Sequence, residues 1–157
     1  MGFAVFFFLA WLVTAFLIVM QKSLSLVENT FIISLILIIS INWSWIIYEG
    51  LKFIKITEQP MDYTAFLFFR SVIIPIILVI QLNMVLQSES FAQTILIPIV
   101  SIGILVALTA LSSYFHMTNY VKWNIGYDVL YFAGLHVIAY LSCWLFRKIA
   151  YREGGYL

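Results

Sequence analysis

Apolar positions run in five long blocks, roughly Phe3–Met20, Asn29–Tyr48, Thr64–Leu86, Phe91–Phe115 and Gly126–Phe146, separated by short polar connectors. Each block reaches or approaches the ~20 residues a helix needs to cross ~30 Å of hydrocarbon. A backbone inside lipid must satisfy its own hydrogen bonds, so every block is expected to be helical despite its many β-branched Ile and Val residues. The predicted fold class is an all-α integral membrane protein. It has one transmembrane domain over 1–157, with helices near 3–20, 29–48, 64–86, 91–115 and 126–146.

The connectors sharpen this picture. Gln21–Glu28 and Gln87–Ser90 are tight enough to make antiparallel hairpins of blocks one and two, and of blocks three and four. Glu49–Tyr63 and His116–Ile125 are longer, yet too short to fold as domains, so any chemistry must occur in or at the membrane. The second block closes on Trp43, Trp45 and Tyr48, amphipathic rings that prefer the headgroup level. Leu51, Phe53, Ile54 and Ile56 then alternate with Lys52, Lys55 and Glu58, as in a segment lying on the membrane surface, until Pro60 ends it. Tyr120, Lys122 and Trp123 give the last long connector the same interfacial character.

Composition narrows the function classes. Hydrophobic residues make up 64% and charged residues 10% of the 157, against about 25% charged in an average soluble domain. A soluble chain of this size has too little interior to hide so much apolar surface. The net charge of +1 offers no basic face for nucleic acid. Cys143 is the lone cysteine, which excludes an internal disulfide and a thiolate metal cluster within one chain. The first block has no preceding Lys or Arg and no cleavage pattern after Met20, so it is expected to be a retained anchor. Position 6 is Phe where a myristoylation signal requires Ser or Thr. Lys and Arg divide almost evenly between the two sides. The Arg147–Lys148–Arg152 cluster tips the expected orientation towards a cytoplasmic C-terminus. The wealth of Ile, Phe and Leu suits a bacterial inner membrane.

Polar residues within the blocks are the candidates for function. Arg70 is a full charge in an apolar run, where Arg costs roughly 2.5–3.5 kcal/mol at a helix centre. It either snorkels to fix helix depth or contacts an anion or lipid headgroup inside the bundle. Gln81 follows eleven positions later on nearly the same α-helical face, while Asn83 falls opposite, so no continuous polar stripe forms. Asn42, Asn83 and Gln87 are expected to bond between helices. His136 is either a buried hydrogen-bonding residue or a proton-sensing or substrate-binding one. It shares a flank with Asp128, Phe132 and Cys143. His116 is too far from it in depth for the two to bracket a haem. Gly103, Ala107, Ala110 and Tyr114 recur at steps of four, three and four, a small-residue packing face for a helix of this chain or of another protomer. Pro75 and Pro98 are expected to bend their helices.

No pattern marks a reaction. No HExxH, Gly-x-Ser-x-Gly, paired intramembrane aspartates or phosphate-cradling glycine loop occurs, and no cofactor or metal is implied. The favoured expectation is a non-enzymatic scaffold or accessory protein that binds the lipid bilayer, other membrane proteins or copies of itself. A small oligomeric transporter or channel using Arg70, Gln81 and His136 is the alternative. A membrane-bound enzyme using His116, Asp128 or Tyr127 comes third.

Overall fold

The computed structural model describes residues 1–153, with side chains through Ala150. Among the described residues, five helical spans are long and apolar enough to cross a membrane. They are α1 (Gly2–Val19), α2 (Leu26–Ser44) prolonged by a π-helical turn (Trp45–Gly50), and a composite third span of α3 (Pro60–Phe68), a second π turn (Phe69–Ile73) and α4 (Ile74–Gln87). The last two are α5 (Phe91–Tyr114) and α6 (Ile125–Glu153). The protein is a multi-pass helical bundle.

Local chemistry sets the ends. α2 opens with a capping box: the Ser25 hydroxyl accepts from the Glu28 N–H at 3.2 Å, and the Glu28 carboxylate accepts from the Ser25 N–H at 2.7 Å. Pro60 occupies the first turn of α3, where its missing N–H costs nothing. Pro75 acts differently. It removes one donor from the helical ladder, and the chain widens into the π turn just before it, with the Ile74 N–H bonding back to Phe69. The bend expected at Pro75 is thus a change of helical pitch.

The third span is the axle of the bundle: 61% of its most apolar stretch is buried, against 17% for α1 and for α5. Ile73, Ile77, Leu78 and Leu82 pack against Phe6 and Ala10 of α1, Ile32 and Ile36 of α2, Leu105 of α5, and Phe132, Leu135 and Ala139 of α6. Lipid tails are as apolar as these side chains, so close packing and polar contacts, not hydrophobic burial, hold the spans together.

The two long connectors are not independent surface segments. They pair as an antiparallel ribbon of β1 (Ile54–Ile56) and β2 (Thr118–Tyr120), with Ile54 opposite Tyr120 and Ile56 opposite Thr118. Outside the hydrocarbon a period of two is free to express itself. Ile54 turns inward at 3% exposure while Lys55 faces out. Lys52 and His116, both in left-handed backbone at φ 52 and 56, turn the chain before the strands.

Candidate functional site

At the ribbon end, α2, the third span and α6 enclose a small chamber of ≈ 40 Å³. Ser44 and Tyr48 reach it from α2 and its π turn, Arg70 from the second π turn, Thr109 from α5, and Asp128 and Tyr131 from the start of α6. Two π turns therefore present the polar walls of one cavity. Such turns recur at functional sites, because the wider spiral releases backbone groups and re-aims side chains. The volume suffices for a water or two.

Asp128 is buried and held from the ribbon side. Its Oδ2 accepts from the Tyr120 hydroxyl, and its Oδ1 accepts from the Trp123 indole N–H at 2.9 Å. Tyr131 donates to the Ser40 hydroxyl at 3.2 Å, and Trp43 stacks on the Tyr131 ring at 5.1 Å. Of the aromatics expected to mark the headgroup level, Trp43 and Tyr48 line this chamber and Trp45 does not.

Tyr120 lies outside the spans, and burial followed by its bond to Asp128 raises its pKa above the ordinary tyrosine value of 10.0. Between the unfolded and folded values the folded state holds the proton that the unfolded state has lost. Stability conferred by this hydroxyl is therefore complete below pH 10.0 and declines as pH rises beyond it. Alkaline unfolding followed by Trp fluorescence should begin near that pH in the wild type. Tyr120→Phe should flatten this dependence while lowering stability at neutral pH.

Arg70 also lines a second, wider cavity. Ser44, Tyr48 and Arg70 form the wall between the chamber and a cleft of ≈ 370 Å³, whose remaining lining is Trp45, Glu49, Gly50, Ile56 and Tyr63. The guanidinium stands 5.6 Å from the Phe66 ring centre. Its Nε is out of solvent without an acceptor, and no described residue accepts a hydrogen bond from Arg70 or pairs with its charge.

Gln81 and His136 lie elsewhere. The expectation that Gln81 shares Arg70's face assumed an unbroken α-helix. The intervening π turn adds a residue and rotates the downstream helix by about 100°. Gln81 instead lines a lateral groove of ≈ 480 Å³ with Pro98 and His136, and an apolar groove of ≈ 420 Å³ with Val13, Val100 and Ser101. The Phe132 carbonyl can only accept, so the His136 Nδ1 carries the proton and donates to it at 2.7 Å. The His136 Nε2 then accepts from the Ser101 hydroxyl at 2.9 Å, tying α5 to α6. Both ring nitrogens are engaged, as befits a buried hydrogen-bonding histidine. Arg70 thus shares neither groove with Gln81 and His136.

The residues of the enzyme reading do not converge. Asp128 is in the chamber, whereas His116 and Tyr127 are exposed. The face formed by Gly103, Ala107, Ala110 and Tyr114 points away from the bundle, while α5 packs inward through Ser101, Leu105, Thr109 and Ser112. Asn42, expected to bond between helices, bonds among the described residues only within its own helix, to the Ile38 carbonyl.

The bonds expected of Asn83 and Gln87 belong to a polar assembly at the end opposite the ribbon, in which Glu28 and Arg147 had not been singled out as partners. Arg147 of α6 pairs with Glu28 at 2.6 Å and donates to the Ser23 carbonyl at 3.1 Å. Asn83 accepts from the Ser23 and Leu24 N–H groups at 2.9 and 3.0 Å, and donates to Asn29 at 2.9 Å. Gln87 donates to the Gln21 carbonyl at 2.7 Å. The Ser25-x-x-Glu28 spacing was the available signal for its first member. The side chain of Arg152, third of the basic cluster, lies outside the described residues.

Five apolar spans and this polar bracing define a multi-pass helical membrane protein. Its sequence matches no protein-family model and no curated protein, and its fold matches no solved structure.

Proposed function

We propose that the protein is a non-enzymatic accessory subunit that pairs with a second copy of itself through the outward face of α5. The carrying observation is that Gly103, Ala107 and Ala110 form a shallow strip with no internal use. A Cβ placed on Gly103 meets nothing within 4 Å. Small residues at this spacing let two helix backbones approach closely in lipid. A second copy in the same orientation carries the same strip at the same depth, so a two-fold axis along the membrane normal sets one strip on the other in register.

Disulfide trapping tests this in native membranes. With Cys143 replaced by Ser, Ala107→Cys should cross-link copies readily, because the bond needs Cα atoms about 4.4–6.8 Å apart. Leu130→Cys, on an exposed part of α6, should not. Adding Gly103→Leu should suppress trapping while leaving the unfolding of the monomer unchanged, since that side chain enters open space. Equal trapping at positions 107 and 130 would mean random collision and would remove the reading.

A further inference from the structure

We infer that the cleft beside Arg70 is a binding site for a zwitterionic phosphate ester of the phosphoethanolamine type, with the phosphate on Arg70 and the ammonium on Glu49. An arginine about 15 Å along its span from Pro60, at ~1.5 Å per residue, is costly to leave unpaired. Its planar fork of N–H donors suits a phosphate, and here none of those donors is used by a described residue. Asp128 is not the missing counter-ion: no ion pair joins it to Arg70, and each of its oxygens already accepts a bond from the ribbon side.

The rest of the cleft is built for a cation. Glu49 lines it at the headgroup end and forms no ion pair with a described residue. Trp45 and Tyr63, 71% and 43% exposed, line the same opening, and aromatic rings of this kind attract an ammonium group. Opposite charges on one cleft, with aromatic residues in its lining, match a ligand that carries both a phosphate and an amine. The Ser44 and Tyr48 side chains supply hydroxyls on the Arg70 side. A volume of ≈ 370 Å³ falls in the range of small-ligand pockets. The same chemistry is offered by a phosphatidylethanolamine headgroup and by free phosphoethanolamine.

Native mass spectrometry on the full chain in detergent distinguishes these cases. The probes are dioleoylphosphatidylethanolamine, dioleoylphosphatidylglycerol, dioleoylglycerol and water-soluble phosphoethanolamine. Wild type should retain phosphatidylethanolamine over phosphatidylglycerol, and both over dioleoylglycerol. Arg70→Gln should weaken both phospholipids by roughly tenfold or more, the loss of a charge-assisted contact. Glu49→Gln, at an exposed position, should abolish the preference for phosphatidylethanolamine and leave phosphatidylglycerol binding intact. If phosphoethanolamine displaces the lipid at equal concentration, the site serves a soluble ester; if it does not, the acyl chains contribute and the occupant is a lipid. Should Arg70→Gln fail to fold, Glu49→Gln and the wild-type lipid ranking still decide. Equal retention of all three lipids by wild type, or unchanged binding in Arg70→Gln, overturns the proposal.

Discussion

Replacing Asn83 by Leu is expected to destabilise the protein by about 2–4 kcal/mol, as stranding buried donors costs roughly 1–3 kcal/mol each. The midpoint of unfolding in mixed micelles would report the loss. An average side-chain hydrogen bond between membrane helices is worth only ~0.6 kcal/mol, because the separated helices find other partners. Asn83 is different in kind. Fully buried, it holds two successive backbone N–H groups, those of Ser23 and Leu24, where the first connector turns from α1 to α2. Leu24 is itself buried, so its N–H has no water to fall back on. Leucine fills similar space, and packing is kept while the acceptor disappears. A loss no larger than ~0.6 kcal/mol would show that the connector re-satisfies itself without this amide.

The second large effect is asymmetric. Arg147→Ala should cost about 2–3 kcal/mol, less than the 3–5 typical of breaking a fully buried pair, because the Arg147 side chain is 35% exposed and partly screened. Glu28→Gln should cost less. The Glu28 side chain is 4% exposed and loses its charge partner outright when Arg147 goes. An Arg147 left by Glu28→Gln keeps the Ser23 carbonyl and can extend towards the headgroups. Glutamine at position 28 also keeps a side-chain oxygen to accept from the Ser25 N–H, so the capping box survives. The double variant should therefore be more stable than Arg147→Ala alone. Equal losses in the two single variants, strictly additive in the double, would mean that the contact is a surface ion pair of little consequence.

These expectations also mark how far the sequence could be read. The spans were legible because an unbroken apolar run of some twenty residues suits little besides a bilayer. Arg70 stood out for a similar reason, since an intramembrane charge is expensive whatever surrounds it. What escaped was whatever depended on a partner distant in the chain. Asn83 was expected to bond between helices, but which groups it meets, Ser23, Leu24 and Asn29, could not be read from its own helix. Asp128 was grouped with Phe132, His136 and Cys143 of its own helix, whereas in the chamber it faces residues of two other spans, Tyr48 and Arg70. The relation of Arg70 to Gln81 was misread for a local reason. A single π turn, just ahead of Pro75, breaks the 3.6-residue count on which face assignments rest. The period-two pattern of Ile54, Lys55 and Ile56 was visible, but a strand needs a neighbour, and β2 comes only after two further spans.

That separation bears on how the molecule is assembled. A polypeptide is made from its N-terminus onwards, so β1 reaches the membrane surface long before β2 has been synthesised. Its edge amides pair with water there until the fourth crossing is complete. When β2 arrives, its residue Tyr120 comes only a few positions before Asp128, and the two are drawn together as the last crossing begins. The ribbon therefore acts as a clasp fastened late in biogenesis, closing over the chamber as α6, its last wall, is being delivered.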